Sequence, residues 1–464
     1  MKTDMKSALT GWRRLAGLMV WMIVSWPDNP VAAGAVDWPR LRGPNGDGVS
    51  DATGVPVQWT TNDYNWRVTL PGAGHSSPVI FGRRLFVTCG ETATGKRQIL
   101  CLDPPSGRTL WQKEYESRTF TQNGDNSYAT ATPAADADGV VVTWTTPDEV
   151  VLLALDNEGH EIWRRALGKF VGIHGSGSSP IIADGLVVLA NDQEDPKALP
   201  PSVYAKPDAP KSAGVSFVIA VDRKTGADRW KLPRQSSQSA YTTPCTFRTP
   251  AGRTEVILAS TVHGVTGVDL QTGKVNWELD KVLRERVDAA TGTTNRELGA
   301  LFKERCVASP IVAGGLVFAS EGRGSSGVRV VAVRPGASNP GAPPALVYEI
   351  TKAAPLVPMP LASQGRLYLW ADNGIVTCAR LATGDVLWRE KVGGSFYSSP
   401  VCVNGRLYCV AKNGEVVVLA DADKFELLAR TPLGEKCFAT PAVVDSTMYL
   451  RTFTQLFSLG RKSR

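Results

Sequence analysis

One short pattern recurs along most of the chain: a small or hydroxyl-bearing residue, then a proline, then an apolar run. It occurs at seven prolines, and an eighth proline follows a methionine: Pro78, Pro133, Pro180, Pro244, Pro310, Pro400, Pro441 and, after Met359, Pro360. Neighbouring copies lie 40 to 66 residues apart, with two short apolar segments and a turn behind most of the prolines. Self-similarity at this period indicates a repeat architecture.

The copy at Pro400 shows the unit most clearly, in the stretch YSSPVCVNGRLYCVAKNGEVVVLA. Two Asn-Gly pairs, Asn404-Gly405 and Asn413-Gly414, separate apolar runs that are each about as long as a strand. Asn-Gly is the strongest short-range signal for a type I′ hairpin turn. The stretch therefore predicts a three-stranded meander, and its β-branched residues favour a sheet buried on both faces.

A second signature closes most units: an acidic residue, a turn that contains glycine, and a tryptophan. It is clearest in the runs Asp222–Trp230 and Asp269–Trp277. Such a run predicts a strand, a tight turn and a further strand that carries an aromatic side chain. Each unit is therefore predicted to be a four-stranded antiparallel sheet.

Eight such units predict an all-β fold, an eight-bladed β-propeller of four-stranded antiparallel blades. The last unit supplies only three strands, whereas residues 65–70 form a strand that has no partner before it. We expect this N-terminal strand to complete the last blade and close the ring. The alternative is a seven-bladed ring with a stray hairpin.

The first 33 residues have the order of a secretory signal peptide: basic residues, an apolar run of about a dozen residues and then small residues. We expect cleavage after Ala33 or Ala35, a lead-in segment over 34–64, and the propeller over 65–464. An uncleaved anchor is the alternative, although the run is short for a membrane span. Arg13-Arg14 resembles a twin-arginine export signal, and no cysteine near the cleavage site would carry a lipid.

The predicted location is thus outside the cytoplasm, in the periplasm or at the cell surface. Removing the leader lowers the formal net charge from +7 to +5, which is no argument for nucleic acid as a partner. The eight cysteines of an exported chain invite disulfides, but their pairing cannot be read from the sequence. A two-residue turn at Asn404-Gly405 would leave Cys402 and Cys409 as diagonal neighbours, too far apart to bridge.

The Asp-x-x-Thr-Gly-x-x-x-Trp run resembles the repeat of the pyrroloquinoline-quinone-like (PQQ-like) propellers. That family includes quinoprotein alcohol dehydrogenases and the B-subunit of the outer-membrane β-barrel assembly machinery. The opening WPRLRGPNGDGVS also resembles the lead-in of secreted bacterial members. The resemblance implies that the repeat tryptophans are structural and dock between blades: Trp66, Trp111, Trp163, Trp230, Trp277 and Trp388.

The resemblance does not extend to the chemistry of the dehydrogenases. Those enzymes bind the quinone beside a disulfide of adjacent cysteines, with a calcium ion and a catalytic aspartate. This sequence has no adjacent cysteines, no haem-attachment motif and no aspartate assignable as a base. We therefore predict no catalytic residues and no cofactor, with PQQ and calcium implied only by the alternative of a divergent dehydrogenase. The four histidines lack the spacing of a metal site, so no metal is predicted.

The mouth of a propeller is lined by residues just before each innermost strand, which here precede the eight prolines. Aromatic, cationic and acidic side chains converge there, as a site for a small polar ligand requires. The predicted ligand-binding residues are His75, Tyr128, His174, Tyr241, Arg305, Tyr397 and Lys436; Asp125, Asn126, Glu304, Phe396 and Glu435 belong to the same set. Two insertions, 191–214 and 280–305, are further candidate loops for function.

Three hypotheses for function remain open. The first is an exported, non-catalytic, monomeric propeller that acts as a scaffold for a protein partner or a small polar ligand. The second is a quinone-dependent alcohol or sugar dehydrogenase with a divergent site. The third, a role in outer-membrane protein assembly, rests on the resemblance alone.

Overall fold

The computed structural model describes residues 37–172, 174–198, 212–279, 302, 304–323, 327–336 and 343–461. The predicted leader, the centre of the first insertion and most of the second lie outside these described residues. The described chain forms eight sheets arranged as the blades of a propeller, as predicted. Within each blade the strands are antiparallel and follow one another outward from the central channel.

The first four blades each consist of four consecutive strands, given from the innermost to the outermost. Blade 1 comprises Val79–Phe81, Arg84–Gly90, Arg97–Leu102 and Thr109–Tyr115. Blade 2 comprises Ala134–Asp136, Gly139–Thr145, Val150–Leu155 and Glu161–Ala166. Blade 3 comprises Ile181–Ala183, Leu186–Asn191, Phe217–Asp222 and Asp228–Pro233. Blade 4 comprises Cys245–Arg248, Thr254–Ser260, Gly264–Asp269 and Val275–Glu278.

The next three blades follow the same plan. Blade 5 comprises Ile311–Ala313, Leu316–Arg323, Gly327–Arg334 and Ala345–Ile350. Blade 6 comprises Leu361–Ser363, Arg366–Trp370, Ile375–Arg380 and Val386–Lys391. Blade 7 comprises Val401–Val403, Arg406–Val410, Glu415–Ala420 and Leu427–Pro432. Two short 3-10 helices, Thr61–Asp63 and Pro196–Ala198, lie outside the blades.

Blade 8 closes the ring with strands from both ends of the propeller. Its three inner strands are Ala442–Val444, Thr447–Arg451 and Gln455–Gly460. Its outer strand is Tyr64–Thr69, which pairs antiparallel with Gln455–Gly460. The predicted closure is therefore confirmed, with the strand one residue earlier than expected.

The hydrophobic core consists of layers between neighbouring blades. Alternate side chains of each middle strand point into the layers on its two sides, so strands such as Val150–Leu155 are buried along their whole length. This explains the continuous apolar runs of the sequence. The turn at Asn404-Gly405 has positive φ at both residues, as type I′ requires, and pairs Cys402 with Leu407. At Asn413-Gly414 only the glycine has positive φ, so that turn differs from the prediction.

The repeat tryptophans join one blade to the next. In five cases the indole Nε1 donates a hydrogen bond of 2.8 to 3.1 Å to a backbone carbonyl of the following blade: Trp66 to Pro104, Trp111 to Asn157, Trp163 to Arg223, Trp230 to Leu270 and Trp388 to Ala422. In blade 5 the hydroxyl of Tyr348 donates to Leu381 in the same way. Trp277 differs, because its indole donates to Glu255 of its own blade.

The glycine of each repeat turn is required by this packing. Gly226 has φ of +69°, and a Cβ atom there would lie 2.7 Å from the indole of Trp163. The glycine therefore leaves room for the preceding blade's tryptophan to lie on the turn. The Asp-x-x-Thr-Gly and Trp parts of the signature thus meet across the boundary between two blades.

Residues 38–50, called the strap below, run inside the central channel. At Asp37 the chain lies beside the turn that follows the innermost strand of blade 1, because the carboxylate of Asp37 accepts a hydrogen bond from the amide of Gly82. Its apex, Leu41, contacts the opposite, mouth end of the channel. The chain then returns, and Val49–Ser50 pairs in parallel with Cys402–Val403 of blade 7. The strap therefore enters and leaves through the base of the propeller.

Candidate functional site

The residue before each repeat proline forms a ring at the mouth of the channel. In seven blades it carries a hydroxyl, and these seven residues are called the hydroxyl ring: Ser77, Thr132, Ser179, Thr243, Ser309, Ser399 and Thr440. The backbone amide of one blade's residue donates to the hydroxyl of the next blade's residue at 2.8 to 3.2 Å in all seven cases. The hydroxyl preference before proline therefore reflects hydrogen bonds that join the blades.

The ring of hydroxyls is interrupted at blade 6, where Met359 takes this position. The amide of Met359 still donates to Ser399, at 3.0 Å. Its own side chain has no oxygen to accept from Ser309, so the mouth is apolar at this point. Leu356 and Val357 line the mouth beside it, held by bonds from their amides to the carboxylate of Asp372.

A cavity of about 430 Å³ opens above the hydroxyl ring. A second ring of residues lines it, three positions before each proline: His75, Thr130, Gly177, Tyr241, Val307, Val357, Tyr397 and Phe438. These side chains are small at blades 2 and 3, aliphatic at blades 5 and 6, and aromatic at blades 1, 4, 7 and 8. The cavity is therefore asymmetric although the scaffold around it is regular.

Leu41 of the strap lies at the floor of the cavity. The guanidinium groups on either side of it bond to two different blades, 4 and 6. Arg40 donates to the carbonyl of Pro244 at 2.5 Å, and Arg42 donates to that of Pro360 at 2.8 Å. The mouth cavity is consequently closed below by the N-terminal segment.

The aromatic side of the cavity carries an ion pair. Asp125 accepts from the ammonium of Lys412 at 3.1 Å and from the hydroxyl of Tyr397 at 3.0 Å. The ammonium also lies 4.0 Å from the ring centroid of Tyr397 and 5.0 Å from that of Phe438. Partial burial alone would raise the pKa of Asp125, but the bonds from Lys412 and Tyr397 lower it. Burial raises the pKa of Tyr397 to about 12, and Asp125 acts in the same direction.

His75 belongs to the same aromatic cluster. Its ring lies 4.6 Å from that of Phe438 and 4.8 Å from that of Phe453, measured between centroids. Burial, helped by the nearby charge of Arg451, lowers the pKa of His75 to about 3. The imidazole is therefore neutral at physiological pH and serves as an aromatic wall.

The opposite side of the cavity is polar. The guanidinium of Arg305 donates to the buried carboxylate of Glu194 at 2.6 Å and to the amide oxygen of Gln238 at 3.0 Å. His174 is within hydrogen-bond distance of Asn123, at 2.9 Å between Nδ1 and Nδ2. Burial, with a contribution from Arg305, lowers the pKa of His174 to about 4. Arg305 and Glu194 are thus paired with each other, and His174 is neutral at pH 7.

Five of the seven predicted ligand-binding residues line this cavity: His75, His174, Tyr241, Arg305 and Tyr397. Tyr128 lies outside it, because its hydroxyl bonds to the backbone of Phe120 and its ring packs on Arg97 at the base of a loop. Lys436 is exposed and also lies outside, since the residue that enters the cavity from that segment is Phe438.

Of the other predicted mouth residues, two line the cavity and three do not. Asp125 and Asn126 line the cavity. Phe396 is fully buried against Trp370, and Glu435 accepts from Thr452 and Thr454. The backbone amide of Glu304 donates to Glu321. None of these last three is among the residues lining the cavity.

Sequence reasoning missed Leu41, Lys412, Phe438 and the hydroxyl ring. The position three before each proline would have identified Phe438, because it matches His75, Tyr241 and Tyr397. No local pattern could have identified Leu41 or Lys412, which come from distant parts of the chain.

The described residues contain no group of three His, Cys, Asp or Glu side chains arranged to hold a metal ion. All eight cysteines lie within the described residues, and all are buried thiols without a disulfide. Among the described residues that line the cavity, Asp125 carries the one carboxylate, and none is a tryptophan. Nor does any described helix have the length and apolar character needed to cross a membrane.

Comparison with known proteins agrees with the architecture. A family model described as outer membrane protein assembly factor BamB matches residues 56–128, 95–342 and 349–428. No protein of curated function is similar in sequence at a significant level.

Solved structures share the fold at low identity. BamB from Moraxella catarrhalis aligns with a TM-score of 0.56 and 13% identity, over 86% of this chain and 97% of that chain. The computationally designed Ika8 protein aligns with a TM-score of 0.53 and 12% identity, over 85% and 98%. A europium-containing methanol dehydrogenase aligns with a TM-score of 0.48 and 11% identity, over 91% and 98%. The repeat, the eight blades and the match over most of the chain place this protein in the PQQ-like propeller family whose model is described as outer membrane protein assembly factor BamB.

Proposed function

We propose that this protein is a non-catalytic binding propeller of the cell envelope, and that it holds a small polar ligand or a side chain of a protein partner in the mouth cavity. The observation that carries the proposal is the cavity of about 430 Å³, lined by the same two repeat positions in every blade. The blades differ at these positions only in side chain, so a rigid scaffold presents an asymmetric and largely preformed site.

A binding role fits the chemistry of the lining better than catalysis does. Asp125 is paired with Lys412 and Tyr397, and Arg305 is paired with Glu194. His75 and His174 have lowered pKa values, so both imidazoles are neutral and only weakly basic at pH 7. These residues supply shape, aromatic surface and hydrogen bonds.

The described residues of the lining do not fit a quinone and calcium site. Calcium takes six to eight oxygen ligands, often several of them carboxylates, whereas one carboxylate is found among the described lining residues, and it already accepts two hydrogen bonds. The described lining also has no tryptophan to stack on a quinone. We therefore expect no dye reduction with alcohols after the purified chain is mixed with PQQ and calcium. Turnover in this assay would overturn the non-catalytic proposal.

Ligand capture from native periplasmic extract tests the binding site directly. Val307→Trp places a large side chain at a residue that lines the cavity, whereas Val386→Trp places one on an outer strand where the valine is 46% exposed. The wild type and Val386→Trp should retain the same small molecule or partner, and Val307→Trp should lose it. Retention by all three proteins would show that binding occurs elsewhere.

A second candidate function, in outer-membrane protein assembly, is favoured by the description of the matching family model. It predicts a lower level of outer-membrane porins in a strain that lacks this protein. Complementation with the wild-type chain should restore the porins. Normal porin levels in the deletion strain would argue against this role and would leave the ligand-binding proposal standing.

A further inference from the structure

The wall of the channel is a ring of sheet edges, and the strap forms backbone hydrogen bonds to them as a bound peptide would. The innermost strand of each blade has one edge turned to the channel, where its N–H and C=O groups have no partner within the blade. Trp38 exchanges two backbone hydrogen bonds of 2.9 Å with Ile80 of blade 1, and the carbonyl of Pro39 accepts from Ala135 of blade 2. Backbone bonds to sheet edges are a recurring mode of peptide recognition.

The returning half of the strap bonds to other blades. The side-chain Nδ2 of Asn45 donates to the carbonyl of Thr246 in blade 4, and its Oδ1 accepts from the backbone amide and the hydroxyl of the same residue. The carbonyls of Gly48 and Ser50 accept from Cys402 and Asn404 of blade 7. With the bonds of Arg40 and Arg42, the strap is hydrogen-bonded to five of the eight blades.

Side chains anchor the strap more deeply than its backbone does. Trp38 is 1% exposed, Arg40 is 4% exposed and Arg42 is fully buried. Each guanidinium donates to a proline carbonyl at the mouth end of an innermost strand. Hydrogen bonds from charged groups contribute more than neutral ones, and leaving such an acceptor unmatched in a buried site is costly.

The strap also has its own folded shape. The amide of Gly48 donates to the carbonyl of Arg42 at 3.0 Å, and that of Gly43 donates to Arg40 at 3.1 Å. A Cβ atom at Gly48 would lie 2.5 Å from the guanidinium of Arg42, and φ is +74° there. The turn thus places both arginines for their bonds to the blades, as a preorganised ligand does.

We propose that the base of the channel is a peptide-binding site, and that the strap is its ligand, bound in cis and exchangeable. Its recognition elements are a tryptophan, two arginines that flank an aliphatic residue, and a glycine-rich turn. This inference goes beyond the proposed function and does not depend on what the mouth cavity binds. When the strap is bound, Leu41 forms the floor of the mouth cavity. Removing the strap therefore opens the channel from the base to the mouth.

The connection after the strap allows a direct test with the full chain. Asp51 and Thr53 are exposed, so a protease recognition sequence can be inserted between Asp51 and Ala52 and cut in the folded protein. The cut fragment should co-elute with the propeller and should exchange with an added dye-labelled synthetic peptide of residues 37–50. An Arg42→Gln peptide should bind roughly 10- to 100-fold more weakly. A Pro44→Ala peptide is the matched control, because Pro44 is exposed, and should bind like the native one.

Two native thiols report on the same site. Cys245 lies near Arg40 and Cys409 near Arg42, and both thiols are buried. Alkylation of these two should accelerate once the fragment has been washed out, whereas Cys101 and Cys378 should stay protected. If the insertion prevents folding, the uncut Arg42→Gln chain should show the same selective acceleration.

Three outcomes would overturn the proposal. The fragment leaves at once and the thiols of Cys245 and Cys409 stay protected; the fragment neither leaves nor exchanges until the whole chain unfolds; or the Arg42→Gln peptide binds as tightly as the native one. Loss of ligand from the mouth cavity with normal peptide exchange would contradict only the proposed function.

Discussion

The base and the mouth of the channel are formed by the same eight innermost strands, but the strap fills the base whereas the mouth holds an open cavity. The strap fills the channel from its base and buries two guanidinium groups, which donate to proline carbonyls at the mouth ends of innermost strands. At the mouth, a cavity remains open, and the ion pair of Asp125 and Lys412 is partly exposed, with 43% and 27% of the side chains accessible.

This difference distinguishes the buried contacts that hold the fold together from the exposed contacts that a ligand can reach. A buried charge whose hydrogen-bond partner is lost destabilises a fold strongly, so the base tolerates little change. A partly exposed ion pair contributes little to stability because water and salt screen it. The side chains that line the cavity above the hydroxyl ring can therefore vary without loss of the scaffold, which is what a binding site on a repeat fold requires. Four changes test how far this contrast holds.

The largest effect is expected in the strap, from Arg42→Ala. The variant leaves the carbonyl of Pro360 without its donor and creates a cavity, so the free energy of unfolding should fall by about 3–5 kcal/mol. Chemical denaturation measures it. Arg83→Ala, whose side chain is 80% exposed, is the control and should stay within about 0.5 kcal/mol of the wild type. Equal stability of the two variants would show that the buried guanidinium of Arg42 does not stabilise the fold.

A smaller effect is expected from the titration of His75. Because burial lowers its pKa from 6.5 to about 3, the unfolded chain binds a proton that the folded chain does not as the pH falls below 6.5. Stability is therefore lost on acidification, by about 2–3 kcal/mol at pH 4.5 from this site. His75→Phe keeps an aromatic ring in the cluster and should reduce the difference in unfolding free energy between pH 7.5 and 4.5 by that amount. An unchanged difference would contradict this account.

The hydroxyl ring should contribute less for each member. Thr132→Val preserves the shape of the side chain but leaves the amide of Ser77 without its acceptor, so we expect a loss of about 1–2 kcal/mol in unfolding free energy. Thr132→Ser keeps the hydroxyl and is the matched control. If both variants lose the same amount, packing of the methyl group rather than the hydrogen bond joins the blades.

The smallest effect is expected from Asp125→Asn at the mouth. The exposed ion pair with Lys412 is worth at most about 1 kcal/mol, and its contribution should shrink in high salt. The pKa of Asp125 is lowered below 3.8, so the contribution is present above that pH and is lost as the pH falls through the folded value. A loss as large as that of Arg42→Ala in denaturation at pH 7 would mean that the mouth, too, is structural.

Much of the scaffold could be predicted because its signals are local and repeated. The eight prolines, the glycine turns and the tryptophans each reflect a short-range preference, and repetition made the period visible. The site was harder, because the cavity combines residues from every blade with segments of irregular length. Tyr128 and Lys436 show the limit: their distance from a proline was suitable, but the loop of Tyr128 folds back on Phe120 and Phe438 takes the place expected for Lys436.

By itself the sequence determined the all-β class, the number of blades and the strand that closes the ring, since strand patterning and turn chemistry act over a few residues. Only the tertiary structure decided that WPRLRGPNGDGVS fills the channel, that hydroxyls before proline join neighbouring blades, and that Leu41 forms the floor of the mouth cavity. These features depend on contacts between residues up to 363 positions apart, such as Thr440 and Ser77. Such contacts exist only once the ring has closed.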